Sequence, residues 1–178
     1  MDLTAEGLLG FVSANRAWAA PVAFVLAAAD TTAILSLLLP ATPLLIAMGA
    51  LVAAESLDFF AVWAGAAAGA VAGSTLSWWI GHHFGRAVLG HAPFDSHPAT
   101  MRRALAALAR WGPPAVLVAH IFPPLTSAMF LIAGIVRVPF ARFQAFNLPG
   151  AAIWAWFLPV TGELGTFLIG RIWDYVQG

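Results

Sequence analysis

The chain has 178 residues, 61% hydrophobic and 9% charged, with eight basic and eight acidic residues, no cysteine and a mean hydropathy of +0.87. Soluble domains carry about 25% charged residues, so this composition excludes a water-soluble globular protein and places the chain in a lipid bilayer. Zero net charge argues against a nucleic-acid partner, and the lack of cysteine removes disulfide and thiolate chemistry.

Met1 to Arg16 carries Asp2 and Glu6 ahead of any basic residue, the reverse of a cleavable signal peptide. Leu3, Leu8, Leu9, Phe11 and Val12 predict a short helix lying at the interface. Trp18 to Leu39 is apolar for one bilayer thickness, interrupted by Asp30, and ends at Pro40-Ala41-Thr42-Pro43. The limb that follows, Leu44 to Ala54, is too short to cross at about 1.5 Å per residue. Trp18 to Ala54 is therefore either a full span plus a half span or a hairpin dipping in and out about Pro40. Phe59 to Phe84 reads as a spanning helix with a small-residue stripe at Gly65, Gly69 and Gly73 for close helix contact. Trp78 and Trp79 near its far end are expected at the interface. A polar linker follows, whose segment Thr100 to Trp111 predicts an amphipathic surface helix carrying Arg102, Arg103 and Arg110 toward anionic lipid.

The next apolar segment contains Pro123 and Pro124. Proline supplies no N–H and clashes with the preceding turn, so a helix arriving from Pro114 should break near Phe122. Broken backbone inside a bilayer survives only where protein or a wet cavity satisfies it, which makes this stretch a re-entrant tip or a discontinuous helix lining a site. Arg137 and Arg142 mark a return to water, and Phe143 to Tyr175 is the last apolar unit, punctuated by Pro149, Gly150, Pro159 and Gly162.

An internal repeat runs at an offset of 85 residues: Gly49, Gly65, Gly85 and Arg86 pair with Gly134, Gly150, Gly170 and Arg171, and Thr42 with Ser127. Each unit is a proline-broken hairpin followed by a spanning helix. A unit that dips once and crosses once ends on the opposite side, so two of them joined by a surface linker are inverted, as in many transporters. The expected fold is an all-α integral membrane protein forming one domain, with repeat one at 18–86, the linker at 87–112 and repeat two at 113–175. Arg86, Arg102, Arg103, Arg110, Arg137 and Arg142 then share one side against Arg16 and Arg171 on the other, which places the linker in the cytoplasm.

These residues resemble the DedA family, also described as the VTT or SNARE-associated Golgi protein family. Its pattern has a proline-and-acid hairpin, a Gly-Asp-xxx-Tyr-xx-Gly-Arg-xx-Gly helix end and a Gly-Arg-Phe-xx-Pro-xx-Arg hairpin. It closes with an Ala-Gly pair and a Phe-xxx-Asn-xx-Gly-Ala-xx-Trp helix. The similar stretches here are Pro40 to Gly49, Gly73-Ser74 through Trp78, Gly81 and Gly85, Phe122 to Gly134, and Phe143, Asn147, Gly150, Ala151 and Trp154. The last is the most specific, and the likeness extends over Ala29 to Trp154. It implies a lipid transporter or scramblase acting on a phospholipid or polyprenyl phosphate, with or without proton coupling, in a bacterial-type cytoplasmic (inner) membrane. No cofactor is implied. The family's two acids, twelve residues apart, fall on Asp30 and Thr42, and its two arginines, six apart, on His120 and Thr126. Ser74, Trp78 and His82 replace the family's aspartate, tyrosine and arginine, which makes this a divergent member.

Asp30 and His120 also stand out without the family. A charged residue near mid-bilayer costs about 2.5–3.5 kcal/mol on insertion scales, so such groups face protein, water or a partner. Histidine exchanges a proton near neutral pH. Asp30, Thr42, His120 and Thr126 are therefore expected to converge on one polar cavity that binds an anionic headgroup better once His120 is protonated. The blander reading has Asp30 capping a broken helix and His120 bonding a carbonyl freed by Pro123 or Pro124. Other readings are a membrane enzyme using His120 as acid or base, and a non-transporting protein that binds a partner. His82, His83, His91 and His97 lack the i,i+3 or i,i+4 spacing of a helical metal site, so no metal is expected. Glu163 reads as interfacial beside Arg171 and Asp174.

Overall fold

The computed structural model describes residues 5–33, 35–38, 41–90 and 97–177, and the side chains of most of them up to residue 161. Nine α-helices account for most of these residues. Helix α1 (Ala5–Ala14) and a 3-10 turn at Arg16–Trp18 lead into α2 (Ala19–Thr31), with a bend of 114° between the two helical axes. Helices α3 (Leu35–Leu38) and α4 (Ala41–Ala53) follow, then α5 (Phe59–Phe84), which runs on as a 3-10 segment to Gly90. The second half comprises α6 (Pro98–Trp111), α7 (Ala115–Ala119), α8 (Pro123–Ile135) and α9 (Phe140–Gln177). Pro40 lies outside the described residues, and with it the expected tip of the first hairpin.

Helix α5 is the axis of the molecule. Its start is capped by the Asp58 carboxylate, which accepts the Ala61 N–H at 2.7 Å. It ends at Gly85, whose φ of +59° lies in the left-handed region that glycine enters without strain. Along its first half, Gly65, Gly69 and Gly73 lie directly against the backbone of Ala20, Phe24 and Ala28 on α2. Both sets recur every four residues, so two ridges run in register and a Cβ at any of the three glycines would overlap a carbonyl oxygen. Along its second half the partner changes to α8: Gly81 abuts the Leu131 carbonyl, and Gly134 abuts that of Trp78.

Helix α4 rests on α9, and α8 on α5. Two apolar cores result. Leu45, Met48, Val62, Ala66, Ala151 and Ala155 fill one, and Trp78, Leu108, Val116, Phe130, Leu131 and Phe143 fill the other.

Two local expectations need correction. Trp18 to Leu39 is not one span, because α2 stops at Thr31, where no proline intervenes. The Thr31 and Thr32 hydroxyls donate back to the Ala27 and Ala28 carbonyls at 2.7 and 2.6 Å. Ser77 on α5 then donates to the Thr31 carbonyl at 3.0 Å and accepts the Ala33 N–H at 2.8 Å. The broken end is thus satisfied by protein, as a bilayer requires. Trp78 is buried and donates its indole N–H to the Val138 carbonyl at 3.1 Å, whereas Trp79 is 50% exposed and keeps the interfacial position. The last apolar unit is a single helix as expected, α9 passing through Pro149 and Pro159 without ending, each proline removing a single backbone bond.

Among the described residues, the segment Phe59–Gly90 is long and apolar enough to cross a bilayer as one helix. Ala41–Ala53 and Leu125–Ile135 are apolar but short.

Candidate functional site

Asp30 sits in the last turn of α2 and is half-buried, and Thr42 lies in the first turn of α4. The chain turns back between them, and the Thr42 hydroxyl donates to Oδ1 of Asp30 at 2.7 Å. That length is typical of a hydroxyl bonded to a carboxylate, which is stronger than a neutral pair. A hydroxyl held in this way has no hydrogen left for a ligand.

In the second half, α7 ends at Ala119 and α8 begins at Pro123. The prolines take the first two positions of α8, where the missing N–H would have had no helical partner anyway. Phe122 between them is extended, with φ −112° and ψ 87°. Thr126 reaches back across this break, its hydroxyl 2.8 Å from the Ala119 carbonyl and 3.1 Å from that of Phe122. The Ala119 carbonyl, which Pro123 deprives of its helical donor, is served instead by the Phe122 N–H at 3.1 Å and by Thr126. His120 is 1% exposed, with Nδ1 3.2 Å from the Val116 carbonyl and Phe130 tilted against its ring at 4.8 Å. Its ring rests on α9 at Gly150, where a Cβ would come within 2.8 Å of Nδ1.

A cavity of about 400 Å³ opens between the start of α4, the α7–α8 break and α9. Thr42, Ile46, Ile121, Trp154, Phe157, Leu158 and Thr161 line it. The size falls within the roughly 300–1,000 Å³ of small-molecule sites. The Thr161 hydroxyl donates to the Leu158 carbonyl at 2.9 Å, so both threonine hydrogens are spent within the protein. The walls are otherwise aliphatic and aromatic.

Of the four residues expected to converge, Thr42 lines this cavity and carries Asp30 with it. Ile121, next to His120, is the contribution of the second break. His120 and Thr126 are turned onto backbone carbonyls, and no hydrogen bond joins them to Asp30 or Thr42. Gly49 and Gly134 are buried in helix contacts, and Trp154 lines the cavity. Asn147 is fully buried and donates its amide to Gln144 at 2.8 Å, which donates in turn to Thr75 on α5 at 2.8 Å. Sequence reasoning passed over Thr75, Gln144 and Ser77. Their signal was a polar side chain on the inward face of an apolar helix.

The rings of His82 and His83 stack on Trp78 and Trp79 at 4.7 and 5.2 Å. His91 and the side chain of Glu163 lie outside the described residues. Arg102, Arg103 and Arg110 are exposed on α6, whose Met101, Ala104 and Leu108 are buried and whose main partner is α8. Arg137 and Arg142 are exposed.

The family model of the VTT domain matches residues 39–164, from just ahead of α4 into α9, and so takes in the cavity and both Thr42 and His120. The chain belongs to the VTT-domain family. This VTT chain is 24% identical over 151 residues to the inner membrane protein YabI of Escherichia coli, an alignment covering 84% of this chain and 59% of that protein. It is 31% identical over 126 residues to an uncharacterized membrane protein of Synechocystis, slr0232, covering 70% and 56%. The VTT chain thus aligns with somewhat over half the length of these relatives. No solved structure is a significant match. Composition, the family and both relatives agree that this is a membrane protein.

Proposed function

We propose that this VTT chain moves a lipid, either a phospholipid or a polyprenyl phosphate, between the leaflets of a cytoplasmic (inner) membrane. The observation that carries the reading is the cavity at Thr42, Ile121 and Trp154. Its apolar walls suit a hydrocarbon chain, and a polar edge at Thr42, anchored on Asp30, borders the place where a headgroup would enter. Broken helices meeting at a cavity are the usual construction of membrane transport sites. Asp30 and His120, one at each break, are the protonatable groups through which movement is linked to protons.

The proposed architecture is two inverted repeats, 18–86 and 113–175, joined by a cytoplasmic linker at 87–112. The exchange of partners between α4–α9 and α8–α5 supports it, as does the six-to-two distribution of arginines.

Purified protein in liposomes containing a headgroup-labelled lipid provides the test. Label crossing to the inner leaflet without covalent change supports transport. A new lipid product would favour the enzymatic reading, and neither result would leave the partner-binding one.

A further inference from the structure

A second cavity, of about 230 Å³, lies between the later turns of α6 and the second helix break. Ala107 and Trp111 of α6, Val118 of α7, Phe122 at the break, and Leu125 and Met129 of α8 line it. Among the described residues, no polar side chain does. Its mouth is open, the Trp111 and Phe122 side chains being 51% and 57% exposed. This groove is separate from the cavity at Thr42: Ile121 lines the one and Phe122 the other, so consecutive residues of the break face different spaces.

The rim of the groove on the α6 side is cationic. Ala107 follows Arg103 by four residues and precedes Arg110 by three, which puts both exposed arginines within about 60° of the groove wall around the helix. Arg102 is about 140° from Ala107, on the opposite flank of the buried face formed by Met101, Ala104 and Leu108. From residue 96 to residue 162 the chain holds five arginines and no aspartate or glutamate, so no carboxylate of this stretch neutralises them. An apolar groove with a cationic rim matches an amphiphile that has a hydrocarbon chain and an anionic head. Arginine is suited to that head because its guanidinium forks onto phosphate oxygens. Trp111 sits at the end of an amphipathic helix, and indole rings favour headgroup level.

We propose that this groove binds one anionic phospholipid, with an acyl chain against Ala107, Phe122 and Met129 and the phosphate on Arg103 and Arg110. The site is independent of any lipid movement through the cavity at Thr42.

Quenching of Trp111 by brominated lipid tests this on the full chain in phosphatidylcholine vesicles, the Trp111 signal being the difference between wild type and Trp111→Phe. Phosphatidylglycerol and phosphatidylcholine, brominated at the same place on one acyl chain, are compared at equal mole fraction. The expected result is stronger quenching by phosphatidylglycerol. Arg103→Gln and Arg110→Gln should each weaken that preference roughly fivefold, whereas Arg102→Gln should leave it unchanged. If an arginine variant does not fold, the wild-type comparison alone decides. Equal quenching by the two lipids would reduce the groove to ordinary bilayer contact and overturn the proposal. An equal loss in Arg102→Gln would do so too, by making the attraction a diffuse surface charge. Protection of Trp111 from both lipids would mean that protein, such as a second copy of the chain, covers the groove instead.

Discussion

The Thr42 hydroxyl and the Asp30 carboxylate are joined by a 2.7 Å hydrogen bond across the first break in the helical backbone. It ties the end of α2 to the beginning of α4 and so sets one wall of the cavity. Hydrogen bonds to charged groups contribute about 1.5–3 kcal/mol. Thr42→Val preserves shape but leaves the half-buried carboxylate without this donor. The expected outcome is lower thermal stability in detergent by an amount in that range, together with slower lipid movement, whereas Thr42→Ser should stay near wild type in both.

Thr126 has the same task at the second break. Both carbonyls keep a backbone donor, the Phe122 N–H on Ala119 and the Leu125 N–H on Phe122, so Thr126→Val removes one further hydrogen bond, worth about 0.5–1.5 kcal/mol. Thermal unfolding should show that loss for Thr126→Val and recovery in Thr126→Ser. Equal stability of all three proteins would mean that the backbone donors suffice and that the Thr126 hydroxyl contributes nothing at the break.

Packing along α5 makes a sharper prediction. A Cβ at Gly69 would overlap the Phe24 carbonyl, whereas one at Gly10 meets nothing within 4 Å. Gly69→Ala should therefore cost at least about 1–3 kcal/mol by overpacking, and Gly10→Ala should be nearly neutral. Unfolding of the two variants side by side measures the difference.

This contrast shows what could be read from the chain beforehand. The bounds of α5, Phe59 to Phe84, and its glycine stripe were legible because a single helix and its period carry them. The break at Phe122 was legible because two prolines act on their immediate neighbours. The end of α2 at Thr31 was not, since it depends on Ser77, more than forty residues away. Trp78 was misplaced for the same reason: its indole is drawn inward by Val138, sixty residues downstream. At the site, Asp30 and Thr42 were singled out because the resemblance puts the family's two acids on them, and the fold joins them directly. The turning of His120 toward Val116 and Gly150 depends on how α7 meets α9, which no local pattern records.

Orientation is open to a clean experiment because the chain has no cysteine. Arg103 is exposed on α6, so Arg103→Cys should react with a membrane-impermeant maleimide from the cytoplasmic side only. Labelling of intact cells from outside would invert the proposed topology.

The central claim, that the chain moves lipid through the cavity bounded by the two breaks, is tested most directly by the rate at which a headgroup-labelled lipid crosses between leaflets of proteoliposomes. The account predicts movement by the wild type without chemical change to the lipid, at a rate clearly reduced in Asp30→Asn and in His120→Ala, with both variants folded. An absence of movement by the folded wild type, or wild-type rates in both variants, would contradict it.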